Sequence, residues 1–214
     1  MKKLLLFLCA VSFSFLSCST EEAKESITLP NILIAISDDQ SWIHTSAYGS
    51  QFVNTPSFDR LADEGIRFTN AFAASPGCAP SRGGIVLGRY PWQNGRAGSH
   101  QSIWPESYKT LPDYLQELGY HAGYTGKGVG PFFWALGGRE TNPAGEEYAL
   151  RKNDPPYDYI SDCDYAANFE DFIGERPEGQ PFYFWYGARE PHRRFQEGAG
   201  QLAGKQPETA TVPS

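Results

Sequence analysis

Asp38 and Asp39 stand side by side in the sequence. Two carboxylates held together repel each other, and a bound cation relieves that repulsion. An all-oxygen donor set suits Ca2+, and less well Mg2+, rather than zinc; the same pair can equally make a turn or cap a helix. Residues 77–84 read GCAPSRGG, with Cys78 one helical turn before Arg82. Cys78 reads as a buried thiol, half of a disulfide or a nucleophile. Lys127, in TGKG, is either a surface lysine or a cation that neutralises an oxyanion. His192 lies in REPHRRF with Arg189, Arg193 and Arg194. An imidazole suits proton transfer near neutrality, and arginine forks suit bidentate recognition of sulfate or carboxylate. The plain alternative for that segment is a solvated basic turn. His100 and Arg139 fall in loop-like stretches, as substrate-side or structural residues.

Such residues act together only if the fold gathers them. NILIAIS (31–37) reads as a fully buried strand ending at the acidic pair. TPSFDRLADEG (55–65) carries Thr55 as N-cap, Pro56 at the first helical position and Gly65 as stop. IRFTNAFA (66–73) is compatible with a second strand. PSRGGIVLG (80–88) is compatible with a helix, although paired glycines weaken it. TLPDYLQELG (110–119) repeats the cap, proline, helix and glycine pattern, and YHAGYTGK (120–127) reads as the strand after it. Residues 131–160 predict a long loop. DYAANFEDFIGE (164–175) predicts a helix with Asp162 as its candidate cap, and PFYFWYG (181–187) a strongly aromatic strand.

Strands alternating with helices predict an α/β fold, a mainly parallel central sheet flanked by helices on both faces. Ligands in such sheets collect beyond the carboxyl ends of the strands. Asp38–Asp39, Lys127 and His192 each follow a different predicted strand, and Cys78 with Arg82 sits where a loop meets a helix start. The topology therefore predicts that carboxylates, lysine, histidine and cysteine share one edge.

The 214 residues are 40% hydrophobic and carry a net charge of −7. That is ordinary for a globular protein with a sizeable core. It argues against extended nucleic-acid binding, which needs many cations along a surface, and it leaves room for a local cationic cluster on an anionic substrate. Residues 1–18 (MKKLLLFLCAVSFSFLSC) have the basic start, short apolar run and small-residue end of a secretory signal. The ending FLSC resembles a bacterial lipobox, which makes Cys18 a lipidation site. Residues 19–30 read as a polar tether, leaving 31–214 for the fold. The expectation is an exported lipoprotein of the bacterial periplasm or outer membrane, touching membrane only through its anchor. With Cys9 in the signal and Cys18 lipidated, Cys78 and Cys163 remain, and an oxidising compartment would pair them.

CAPSR (78–82) resembles the Cys-x-Pro-Ser-Arg signature of the type I sulfatase family. PNILIAISDDQ, NTPSFDRLADEGIRFTNAFAASPGCAPSR, TLPDYLQELGYHAGYTGKG and PFYFWYGAREPHRRF are similar to successive family segments, over nearly all of residues 31–195. RYPWQNGRAGSHQ, TGKGVGP and PHRRF look most like heparan N-sulfatase (sulfamidase). The resemblance implies an alkaline phosphatase-like sandwich and a sulfated-glycan substrate, with N-sulfoglucosamine of heparan sulfate foremost. It implies that a maturase oxidises Cys78 to formylglycine, whose hydrate attacks the sulfate. It makes Asp38, Asp39 and position 78 ligands of Ca2+, and Arg82, Lys127 and His192 the groups around the sulfate. His100, Arg189 and Arg193 are the further candidates for substrate binding.

Two departures follow. The family carries Gly-Lys-x-His, whereas GKGVG has Val129 in place of the histidine; His192, His100 or a residue from the missing part would replace it. The family's second metal-binding pair and C-terminal subdomain would lie beyond Ser214, so the resemblance implies a truncated chain with little activity by itself. An O-sulfatase and an inactive glycan-binding fragment are the alternative readings.

Overall fold

The computed structural model describes residues 28–158, 160–193, 195–202, 206 and 208. The expected signal, Cys18, nearly all of the tether and Arg194 lie outside the described residues.

Four strands form one sheet in the order β1–β4–β2–β3: β1 Ile32–Asp38, β2 His121–Gly126, β3 Glu146–Glu147 and β4 Phe182–Pro191. All three pairings are parallel, as the alternation of strands and helices predicts. β4 is central and reads FYFWYG because both of its faces are covered. Tyr183 and Trp185 point into one cluster with Ala122, Tyr124, Val86 and Trp104. Phe184 points into the opposite one with Phe172 and Tyr148. The period of two along the strand divides the core between the faces.

The helices are α1 Pro56–Glu64, α2 Cys78–Leu87, α3 Leu111–Glu117, α4 Tyr165–Glu175 and the short α5 Ala199–Leu202; α2, α3 and α4 pack on the two core clusters of the sheet, while α1 lies against the 3-10 turn Ser46–Tyr48. α2 begins at Cys78 and closes on Gly88, which adopts the left-handed φ of 63° that a helix stop favours. Its paired glycines weaken helix propensity and have a packing reason: a Cβ on Gly83 would stand 3.3 Å from the Trp104 ring. α4 covers the second face with Phe172, which is fully buried.

Three expectations give way. β1 is not buried on both sides: it lies at the sheet edge, Ile32, Ile34 and Ile36 pack on the core, and Leu33 is 56% exposed. Residues 66–73 form no strand. No described strand lies beside them to take up their backbone hydrogen bonds, and Ile66, Phe68 and Phe72 are exposed. The cap of α4 is Asp164 rather than Asp162; its carboxylate accepts the Ala167 N–H at 3.0 Å. The long loop of 131–160 is interrupted by the two-residue β3 and by one 3-10 turn at Ala135–Gly137. Among the described residues, no helix is long and apolar enough to cross a membrane.

Candidate active site

Three parallel strands end at the same edge of the sheet. β1 ends on Asp38, β2 delivers Lys127 one residue past Gly126, and β4 delivers His192 one residue past Pro191. α2 opens there with Cys78 as its first residue. Asp38, Cys78, His100, Lys127, Arg189, His192 and Arg193 line one cavity of about 660 Å3, with Phe132 and Trp134 as apolar wall.

Asp38 organises the floor. Its side chain is 5% exposed, with one oxygen 3.3 Å from the Arg82 guanidinium and the other 2.5 Å from the Lys127 ammonium. Arg82 stands one turn after Cys78, so both lie on the same face of α2. It also donates to the carbonyls of Lys127 (2.7 Å) and Gly128 (3.3 Å). The Trp185 indole donates to the same Lys127 carbonyl at 3.0 Å, which fixes the end of β2 from two sides. Burial lowers the pKa of Arg82 and Asp38 works against that fall; a guanidinium starts so high that it stays cationic near neutrality. Arg82 is itself buried and does not line the cavity.

Asp39 adopts a left-handed φ of 59°, a conformation that aspartate tolerates better than most residues. Its carboxylate is 3.7 Å from His192 Nε2. Both Cys78 and Cys163 are free thiols, which removes the expected disulfide. Cys163 is buried elsewhere, beside Thr125 and Asn168, at 3.5 Å from each. Val129, where the histidine of Gly-Lys-x-His would stand, is fully buried in the core, while both candidate replacements, His100 and His192, reach the cavity. Arg139 has a structural place instead: its fork holds both oxygens of Asp113, at 2.9 and 2.7 Å, at the start of α3.

The donors fit a divalent cation in kind. Asp38, on the cavity floor, and Asp39, next to it in the chain, offer hard oxygen ligands. Among the described residues no group of three or more His, Cys, Asp or Glu converges on one point. Both Asp38 oxygens already face a cationic side chain.

Other lining residues carry no local sequence signal. Trp134, Tyr124 and Glu147 reach the cavity from the long loop, from mid-strand and from β3. A two-residue strand is too short for a periodic pattern to reveal.

Comparison with known proteins bears on the whole arrangement. A family model described as "Sulfatase" matches residues 30–212. The N-acetylglucosamine-6-O-sulfatase of Bacteroides thetaiotaomicron is 31% identical over 93% of this chain and 37% of its own length. An N-acetylgalactosamine-6-O-sulfatase of the same bacterium is 40% identical over 48% of this chain and 21% of its own. A protein solved with D-glucosamine-2-N,6-O-disulfate as its substrate superimposes with a TM-score of 0.59 at 28% identity, over 78% of this chain and 35% of that one. The chain thus spans about a third or less of the length of these relatives. The two curated relatives bear the names of 6-O-sulfatases of amino sugars, not that of the sulfamidase which RYPWQNGRAGSHQ, TGKGVGP and PHRRF suggest.

Proposed function

The chain belongs to the sulfatase family, and from that premise we propose that it serves the hydrolytic removal of sulfate from a sulfated amino sugar of a glycan, with Cys78 as the reacting position. The convergence of Asp38, Cys78, Lys127 and His192 on one cavity carries this reading.

In this reading Cys78 is converted to formylglycine by a maturase, and the hydrated aldehyde then supplies the hydroxyl that attacks sulfur. Asp38, Asp39 and position 78 would hold a divalent cation, Ca2+ ahead of Mg2+, whose charge polarises the sulfate. Position 78 opens a ten-residue helix, so the partial positive charge of the helix start faces the incoming anion. The Lys127 ammonium, held by Asp38, neutralises sulfate oxygens. Arg82 acts as a positioning residue, tying Asp38 to the end of β2. His192, half-buried beside Asp39, donates the proton that the leaving group needs.

The names of the relatives favour a 6-O-sulfated N-acetylhexosamine as substrate; N-sulfoglucosamine is the finer alternative from the sequence. The basic start, apolar run and Cys18 of the first residues support an exported protein held by a lipid anchor. Sulfate release from N-acetylglucosamine 6-sulfate, N-acetylgalactosamine 6-sulfate and N-sulfoglucosamine, after co-expression with a maturase, tests the reaction. Slow release from a 6-O-sulfated sugar, lost in Cys78→Ala, is the result expected of a chain that spans about a third of its relative's length. A second reading rests on the incomplete ligand set: binding of sulfated glycan without turnover. Saturable binding with no sulfate released would favour it.

A further inference from the structure

A second cavity of about 350 Å3 adjoins the first, and Glu147 and Arg189 border both. The charges around it are mostly spoken for. Lys152 pairs with Asp162 at 3.2 Å, and the Glu147 carboxylate engages the Tyr124 hydroxyl. Glu190 accepts from the Ser161 N–H and the Tyr165 hydroxyl, each at 2.8 Å. Among the described residues Arg189 is hydrogen-bonded through its backbone alone, from its N–H to the Tyr165 oxygen at 3.0 Å. Among the described residues its guanidinium has no carboxylate partner.

The register of β4 accounts for this position. Ile36 lies opposite Gly187 and Asp38 opposite Pro191, so four steps along β4 match two along β1. Extra residues of this kind bend a strand and re-aim its side chains. Glu190 turns to Tyr165 of α4, and Arg189 reaches the wall between the two cavities.

We propose that Arg189 reads a second anionic group of the substrate, a carboxylate or a further sulfate, seated in the adjoining cavity while the scissile sulfate lies by Cys78 and Lys127. This rests on the sulfatase reading above and narrows it from singly sulfated sugars to doubly anionic ones. A planar guanidinium matches either oxyanion with two parallel hydrogen bonds. Glu147, on the same wall, accepts sugar hydroxyls and disfavours a third anionic group.

The test is titration calorimetry on the 214-residue chain with three ligands: N-acetylglucosamine 6-sulfate, glucosamine 2-N,6-O-disulfate, and a uronate-linked N-acetylglucosamine 6-sulfate disaccharide. At least one doubly anionic ligand binds about tenfold more tightly than the singly sulfated sugar, the size of one charge-assisted contact, and the arm that gains identifies the second group. In Arg189→Gln the ratio falls to about one, and Arg189→Lys, which keeps the charge without the fork, keeps part of it. Equal binding of all three ligands, or a ratio that survives Arg189→Gln, overturns the inference and leaves the sulfatase reading standing. Failure of all three to bind overturns both.

Discussion

The Arg82 guanidinium lies 3.3 Å from the buried Asp38 carboxylate, one helical turn along from Cys78. Through that contact the helix that presents the cysteine is joined to the strand that presents the acidic pair. Lys127 meets the other oxygen of Asp38, so three separate elements share one carboxylate.

Arg82→Ala leaves Asp38 with one cation in a dry setting and removes two donors from the end of β2. Breaking a buried pair from one side costs about 3–5 kcal/mol. Urea unfolding of the variant should show a loss of that order, with the slope of the transition unchanged.

Lys127→Met removes the ammonium that faces the cavity. Binding of a 6-O-sulfated sugar should weaken by roughly tenfold to a hundredfold, the value of a hydrogen bond between charged groups. Calorimetry on the variant checks this, and unchanged affinity would remove Lys127 from the sulfate.

Gly187→Ala tests how tightly the strand ends are packed. A Cβ there would stand 1.8 Å from the Lys127 carbonyl oxygen, which is backbone and also accepts from Arg82 and Trp185. The substitution should cost at least about 1–3 kcal/mol and should change the near-ultraviolet circular dichroism of the buried Trp185.

Asp113→Asn has a pH signature. Burial pushes the Asp113 carboxyl up, and the Arg139 fork with the Thr110 backbone N–H outweighs it, so the folded pKa is depressed. A depressed carboxylate contributes stability that is fully present above its unfolded value, near about 3.9, and is lost as pH falls through the folded value. The variant should be less stable than the parent by about 1 kcal/mol near neutrality. The gap should close as pH falls through the depressed folded value, below the unfolded carboxylate range, as followed by denaturant midpoints.

Much of this fold is legible in the sequence because local grammar and tertiary packing agree. Thr110, Pro112 and Asp113 mark the start of α3, and the aromatic run of β4 announces a strand covered on both faces. The placement of Asp38, Lys127 and His192 follows from strand polarity alone. What stays hidden is what depends on neighbours. Residues 66–73 have the composition of a strand and no described partner, and β1 has the run of a buried strand and an edge position. The site residues Trp134 and Glu147 sit in a loop and a two-residue strand, where no period exists to read. Arg189 is legible in the sequence as a candidate substrate-binding residue beside Arg193. Its place between two cavities comes from an irregularity in register that no spacing announces.

In the proposed reaction Cys78 is the precursor of the reacting group. Co-expression of the chain with a formylglycine-generating maturase, followed by peptide mass spectrometry across residues 77–89, tests it directly. The expected mass is that of a thiol converted to an aldehyde at Cys78, with Cys163 still a thiol. An unmodified Cys78, or a peptide cross-linking Cys78 to Cys163, would contradict it.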